Sequence, residues 1–211
     1  SKFKNFGVTM AASGVLALFT NTSVLFTQGA IELMPGNCRM SREIISVAVI
    51  GGGTMGTGIA GLCAQRGHKV LLLDVSEEAV ETARERILNG RPPAVDEPEK
   101  ADNITFGTID ADLAQIANYD WICEAVIEDL ETKRALFEKM EPLRREGSVI
   151  STNTSGIPLR DVTEGLPDSL RRDIAVTHFF NPVKIMRLME LVPGEDTTPD
   201  VMDALADFTG G

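Results

Sequence analysis

Between residues 46 and 74 the chain changes its apolar rhythm twice, and this restricts its fold more than any other feature. Ser46 to Ile50 is a short, uninterrupted apolar run rich in β-branched residues that stops at Gly51-Gly52-Gly53. A strand buried on both faces of a parallel sheet requires such a run. From Thr54 the period becomes helical, with Met55, Ile59, Leu62 and Cys63 on one face. Gly56, Gly58, Ala60 and Gly61 are small enough to let that helix lie close to a sheet. Lys69 to Val75 reads as a second strand, with Asp74 at its end.

The alternation continues to the end of the chain. Ser76 caps a helix with Glu77 and Glu78 in its first turn, running to about Asn89, where Gly90, Pro92 and Pro93 break it. Arg91 to Asn103 is polar and proline-containing and reads as loop. Strands are expected at Ile104–Thr108, Asp120–Ile127, Ser148–Thr152 and Ile174–His178, with helices at Asp112–Ala117, Leu130–Arg145 and Leu159–Leu166. A last helix follows Thr198-Pro199, with Val201, Leu205 and Phe208 on one face. Strands alternating with helices at this spacing give an α/β fold with a Rossmann-type, doubly wound, mainly parallel sheet.

With 211 residues, 43% of them hydrophobic, the chain can bury one substantial core but not two. Its formal charge of -11 offers no positive field for nucleic acid or an anionic membrane. Acidic stretches such as Glu124 to Glu131 lie among basic ones and read as solvated surface. Three cysteines, Cys38, Cys63 and Cys123, have neither zinc-site spacing nor a histidine-rich context, so no metal site is expected. They point to a reduced, cytoplasmic compartment. Cys63 and Cys123 lie in apolar stretches and read as small buried hydrophobes.

Residues 1–43 differ from the rest. Lys2 and Lys4 precede an apolar run from Val8 to Phe19, which superficially copies a targeting peptide. No uninterrupted run reaches the roughly twenty apolar residues of a membrane helix. Met40 before Ser41-Arg42-Glu43 resembles a natural start. Residues 1–43 are therefore expected to be an extension of undefined structure, and 44–211 the folded domain.

Gly51, Gly53 and Gly56 form G-x-G-x-x-G between a strand and a helix, the context in which this motif binds a dinucleotide. Gly51 serves the tight turn, Gly53 lets a pyrophosphate approach the backbone, and Gly56 allows helix and strand to pack. The helix start at Thr54 and Met55 offers free N–H groups to the phosphates. Asp74 falls where a carboxylate accepts from both ribose hydroxyls and repels a 2′-phosphate, which favours NAD over NADP.

A second group comprises Ser155, His178, Asn181 and Glu190. His178 ends an apolar strand, and ligands of such sheets bind at the carboxyl ends of the strands. An imidazole there can take a proton from a substrate hydroxyl while hydride leaves the same carbon. Glu190 can orient the ring and stabilise the imidazolium, and Ser155 and Asn181 can bond the reacting oxygen and the nicotinamide. By chemistry alone, a structural histidine capping a strand remains open. His68, in a turn before a strand, reads as structural.

Val49-Ile50-Gly51-Gly52-Gly53-Thr54-Met55-Gly56, Glu124-Ala125-Val126-Ile127-Glu128, Ser151-Thr152-Asn153-Thr154-Ser155, His178-Phe179-Phe180-Asn181-Pro182 and Leu188-Met189-Glu190 resemble the NAD-binding domain of the L-3-hydroxyacyl-CoA dehydrogenases. The likeness runs from about Ile44 to the end and is most specific at His178–Pro182. Asn153 to Leu159 is more similar to the long multidomain bacterial members. The resemblance implies oxidation of 3-hydroxyacyl-CoA in fatty-acid β-oxidation, with His178 as general base paired with Glu190. It implies Ser155 at the substrate oxygen and cofactor, Asn181 near the nicotinamide, and Glu128 and Lys133 touching NAD. A solvated pair at a helix start is the plainer account of those last two.

The family continues into an all-helical domain that completes the substrate site, and this chain stops at Gly211. The expectation is a fragment lacking that domain, able to bind NAD but inactive or weakly active. The complete protein is expected to be a homo-oligomer or part of a multienzyme chain. Family members also carry a helical hairpin with CoA contacts after the second strand, and Arg91 to Asn103 is short and proline-rich for one. A different hydroxyacid dehydrogenase, or a non-catalytic NAD-sensing module, would share the glycine motif and Asp74.

Overall fold

The computed structural model describes residues 42–186 and 188–210, together with the strand Val15–Leu18. In chain order the strands are β1 (Val15–Leu18), β2 (Ser46–Ile50), β3 (Lys69–Asp74), β4 (Ile104–Thr108), β5 (Trp121–Glu124), β6 (Val149–Thr152), β7 (Ile174–Phe179) and β8 (Leu188–Pro193). The helices are α1 (Thr54–Gln65), α2 (Glu77–Asn89), α3 (Ile109–Asp112), α4 (Leu130–Met140), α5 (Leu159–Thr163), α6 (Asp168–Asp173) and α7 (Pro199–Gly210). They surround one sheet of order β1-β8-β7-β6-β5-β2-β3-β4. Strands β4-β3-β2-β5-β6-β7 are parallel, and β8 and β1 close that edge antiparallel.

Alternation within each strand divides the core in two. Val47 and Val49 of β2 face a cluster with Ile59, Cys63, Ile87 and Leu205. Ala48 and Ile50 face the other side, with Phe137, Met140, Val162 and Leu170. Both faces of β2 are therefore covered, which is why its sequence does not alternate. Helix α2 starts as expected, with Ser76 Oγ accepting from the Ala79 N–H at 3.2 Å. Asp129 caps α4 in the same way, its Oδ1 accepting from the Thr132 N–H at 2.8 Å.

The differences from the sequence expectations lie at boundaries and at the β8 edge. β5 ends at Glu124, three residues early, and α4 ends at Met140. Neither β8 nor the six-residue α6 is anticipated by periodicity. The segment 91–103 carries a short 3-10 turn, Pro98–Asn103, and packs on α1, where a Cβ on Gly61 would collide with Ala94. Two parts of the expected extension join the folded body. Val15–Leu18 pairs with Leu188–Leu191, and Arg42 forms ion pairs with Asp173 and Asp200, both at 2.7 Å. Cys63 and Cys123 are buried free thiols, and burial pushes each up to about 12, so neither ionises readily. Cys38 lies outside the described residues. His68 has the expected structural surroundings, its ring 4.6 Å from that of Phe208.

Candidate active site

The sheet changes winding direction at β2, whose neighbours β3 and β5 lead to opposite edges. A crevice at the carboxyl ends of these strands is where such folds hold ligands. The glycine turn occupies it. Gly51 has φ 108, a conformation that only glycine adopts readily, and its N–H donates to the Leu73 carbonyl at 2.7 Å. A Cβ on Gly51 would collide with the Ala125 backbone, and one on Gly56 with the Gly51 carbonyl oxygen. Gly53 differs: a Cβ there would meet nothing within 4 Å. The opening leaves room for a ligand to approach the backbone at this turn.

Gly53 also precedes α1 as its cap residue with no side-chain cap, and the first turn carries no acidic residue. Exposed Thr54 and half-buried Met55 begin the helix. The dipole end of a 12-residue helix thus faces the opening without a carboxylate competing for it. Asp74 Oδ2 accepts from the Gly52 N–H at 2.7 Å, and Oδ1 from the Val75 N–H at 2.6 Å. The carboxylate therefore holds the turn and has lone pairs left for hydroxyl donors. Arg86 Nη1 secures the other side of the peptide chain by donating to the Gly52 carbonyl at 3.1 Å. These features fit the pyrophosphate and ribose of NAD.

The second group assembles at the ends of β6, β7 and β8. Register places His178 opposite Glu190, and His178 Nδ1 lies 2.9 Å from Glu190 Oε2. On the other side of the ring, Nε2 lies 3.1 Å from Ser155 Oγ. The Phe180 ring sits 4.5 Å from the imidazole, centroid to centroid. Asn153 Oδ1 accepts from the Phe179 N–H at 2.9 Å and so ties the loop after β6 to the end of β7. Ser155, His178 and Glu190 border an open groove of about 610 Å³, with Ile157, Val176 and Val192 as apolar lining. Asn181 is exposed two residues beyond β7 and does not line this groove.

Glu128 and Lys133 belong to a network that the sequence reading only partly anticipates. Lys133 is 1% exposed and is not solvated. Its Nζ donates to Glu124 at 2.8 and 3.0 Å and reaches Glu128 Oε2 at 3.3 Å. Glu124, expected on a solvated acidic surface, is fully buried and also accepts from the Thr152 hydroxyl at 2.5 Å and the Val126 N–H at 2.8 Å. A buried carboxylate needs such partners, and removal of one would strand a charge. Glu128 Oε1 accepts from Thr154 Oγ1 at 2.6 Å, from the Ser155 N–H at 2.9 Å and from the Gly156 N–H at 3.2 Å. Burial alone would raise the Glu128 carboxyl, but these hydrogen bonds and the Lys133 charge outweigh it and hold the group below its usual value. Glu124, Asn153 and Thr154 are missed in sequence as site-shaping residues. An acid closing an otherwise apolar strand, with a lysine nine residues on, is the available signal for the buried pair.

A glycine turn at the winding change, an acid closing β3 and a carboxylate-held histidine define a dinucleotide-binding domain of the dehydrogenase class. Residues 46–210 match the family model described as 3-hydroxyacyl-CoA dehydrogenase, NAD binding domain. The chain is 38% identical over 176 residues to a Rickettsia felis protein named putative fatty acid oxidation complex trifunctional enzyme, covering 80% of this chain and 24% of that one. It is 32% identical over 190 residues to the probable 3-hydroxyacyl-CoA dehydrogenase of Bacillus subtilis, with the same coverages. The crystal structure of 3-hydroxybutyryl-CoA dehydrogenase from Escherichia coli superposes with TM-score 0.71 at 34% identity, over 79% of this chain and 36% of that one. The chain belongs to the NAD-binding domain family of the 3-hydroxyacyl-CoA dehydrogenases. It spans about a quarter of the length of the first two relatives. No helix among the described residues is long and apolar enough to cross a membrane.

Proposed function

We propose that the complete protein oxidises the 3-hydroxyl group of an acyl-CoA thioester to a ketone in fatty-acid β-oxidation, with residues 44–211 as its NAD-binding domain. The observation that carries this reading is the His178–Glu190 pair at 2.9 Å on the groove bordered by Ser155. Bound NAD supplies the hydride acceptor. Nε2 of His178 takes the hydroxyl proton as hydride leaves the same carbon, and the Glu190 carboxylate fixes the ring so that Nδ1 carries the other proton. That carboxylate also stabilises the imidazolium once it forms. Ser155 bonds the reacting oxygen, and Asn181 lies towards the nicotinamide.

Gly51, Gly53, Thr54, Met55 and Gly56 hold the pyrophosphate, and Asp74 the adenosine ribose. Glu128, carried on the buried Lys133–Glu124 pair, meets the nicotinamide side. The complete protein acts in the cytoplasm as a homo-oligomer or within a multienzyme chain; the trifunctional name of the Rickettsia relative supports the multienzyme form.

The test is a calorimetric titration with NAD of the wild type and Asp74→Ala, then reduction of acetoacetyl-CoA by NADH in the full-length protein. The expected result is binding that weakens about ten- to a hundredfold in the variant, since a hydrogen bond to a charged group contributes roughly 1.5–3 kcal/mol. Wild-type turnover that does not change in His178→Ala would overturn the assignment.

A further inference from the structure

The His178 pair has a second chemical capacity. Ser155 Oγ, His178 Nε2, His178 Nδ1 and Glu190 Oε2 form a continuous relay, with the two hydrogen bonds at 3.1 and 2.9 Å. A hydroxyl on a histidine that a third group orients is the arrangement of an activated nucleophile, whatever the surrounding fold. Acyl transfer to such a serine also needs donors for the oxyanion. The nucleophile's own N–H serves in one class of serine enzymes and the N–H of the residue after the nucleophile in another, each with a second donor from elsewhere. Here these two N–H groups are those of Ser155 and Gly156, and they converge on one atom, Glu128 Oε1, at 2.9 and 3.2 Å. The Thr154 hydroxyl holds the same oxygen at 2.6 Å. The chain thus contains a serine triad and a place for an oxyanion, with a carboxylate oxygen already seated in that place.

We propose that Ser155 is a latent acyl acceptor for thioesters and activated esters, and that Glu128 suppresses its acylation by filling the oxyanion site. In the open state, Ser155 Oγ attacks the acyl carbonyl and its proton passes to His178 Nε2. The C–S or C–O bond to the leaving group breaks, and the leaving group takes that proton from the imidazolium. Water, deprotonated by the same nitrogen, then cleaves the serine ester to a carboxylic acid, and the imidazolium returns that proton to Ser155 Oγ. No electrons are exchanged and no dinucleotide takes part. The apolar lining of Ile157, Val176 and Val192 beside Ser155 suits an acyl chain. A dehydrogenase site that binds thioesters would lose substrate to hydrolysis if those N–H groups were free, and Glu128 prevents this.

The test uses the full-length protein with p-nitrophenyl butyrate and no dinucleotide, following nitrophenolate release and the mass of the Ser155 peptide. Glu128→Ala frees both N–H groups and is expected to raise acylation on the order of 100-fold, the loss that removing one oxyanion donor causes elsewhere. Ser155→Ala in the Glu128→Ala background is expected to abolish the gain. A folded Glu128→Ala no faster than wild type, or a gain that survives loss of Ser155, overturns the proposal. If Glu128→Ala does not fold, a fluorophosphonate probe on Glu128→Ser, whose side chain is too short to reach the two N–H groups, decides. An adduct on Ser155 that disappears in His178→Ala supports the inference, and no adduct on Ser155 overturns it. NAD binding and NADH-linked turnover are separate measurements, so this proposal and the dehydrogenase reading can fail independently.

Discussion

His178 and Glu190 face each other across the antiparallel β7–β8 pair, twelve residues apart in sequence, with Nδ1 and Oε2 at 2.9 Å. The relationship is set by strand register: a slip of one residue would turn Glu190 to the opposite face of the sheet. The structure thus places the ring's orientation under the control of the β7–β8 backbone ladder, and the catalytic reading can be probed without disturbing it. Glu190→Gln keeps an accepting oxygen and removes the charge. In the full-length protein kcat for acetoacetyl-CoA reduction is expected to fall on the order of 100-fold with little change in KM. Unchanged kcat would mean that the carboxylate only caps the strand end.

Two of the motif glycines, Gly53 and Gly56, are expected to separate folding from binding. Gly53→Ala places its methyl where nothing lies within 4 Å, so stability should change by less than about 1 kcal/mol while NAD affinity falls at least about tenfold. Gly56→Ala drives a methyl into the Gly51 carbonyl and should cost about 1–3 kcal/mol in denaturant unfolding. Equal effects on stability and on the NAD titration in both variants would contradict the division of roles.

The strand–turn–helix unit 46–74 is legible in sequence because its determinants are local. An apolar run, a glycine turn and a switch of period each act within a few residues. His178 is recognisable locally, as a polar residue ending an apolar strand, whereas its partnership with Ser155 and Glu190, 23 and 12 residues away, is not local and is carried by the family resemblance. β8 is not legible, because Leu188 to Pro193 becomes a strand only by pairing with β7, and such non-local pairing leaves little trace in a six-residue segment. α6 has six residues, less than two turns, too few to display a helical period. The burial of Lys133 is hidden for another reason. A lysine in the first turn of an amphipathic helix ordinarily points to water, and only the buried Glu124 carboxylate beneath it makes the inward position favourable.

Acid should weaken the fold through identifiable carboxylates. At Asp120 burial favours the neutral acid, but hydrogen bonds from Ser46, the Ile45 N–H and Arg145, and the Arg145 charge, outweigh it and hold the carboxyl below its usual value. Glu128 and Asp200 are lowered in the same sense, against burial, by their own hydrogen bonds and the charges of Lys133 and Arg42. A carboxyl depressed in the folded state contributes stability that is complete above its unfolded value, about 4. That contribution is lost as pH falls through the lower folded value. Denaturant midpoints should therefore decline below about pH 4, and Asp120→Asn should flatten this part of the profile. A variant that declines as steeply as the wild type would remove Asp120 from the account.

Behind the site, three strands are joined by hydroxyls inside the core. Trp121 Nε1 donates to Ser151 Oγ at 2.9 Å, and Thr177 Oγ1 donates to the same oxygen at 2.8 Å. All three residues are 0% exposed, so water cannot replace a lost partner. Ser151→Ala removes little volume but orphans an indole N–H and a hydroxyl, each of which costs about 1–3 kcal/mol when buried without a partner. The Thr177 hydroxyl still has Cys123 Sγ within 3.9 Å, a weak alternative, whereas no other partner of the indole N–H is seen among the described residues. The expected loss of about 2 kcal/mol should therefore arise mainly at Trp121. A double-mutant cycle with Trp121→Phe separates this from simple repacking. If the orphaned indole carries the cost, Ser151→Ala should be nearly neutral in the Trp121→Phe background. Additive effects would instead place the cost at Thr177 or in the altered packing of β6.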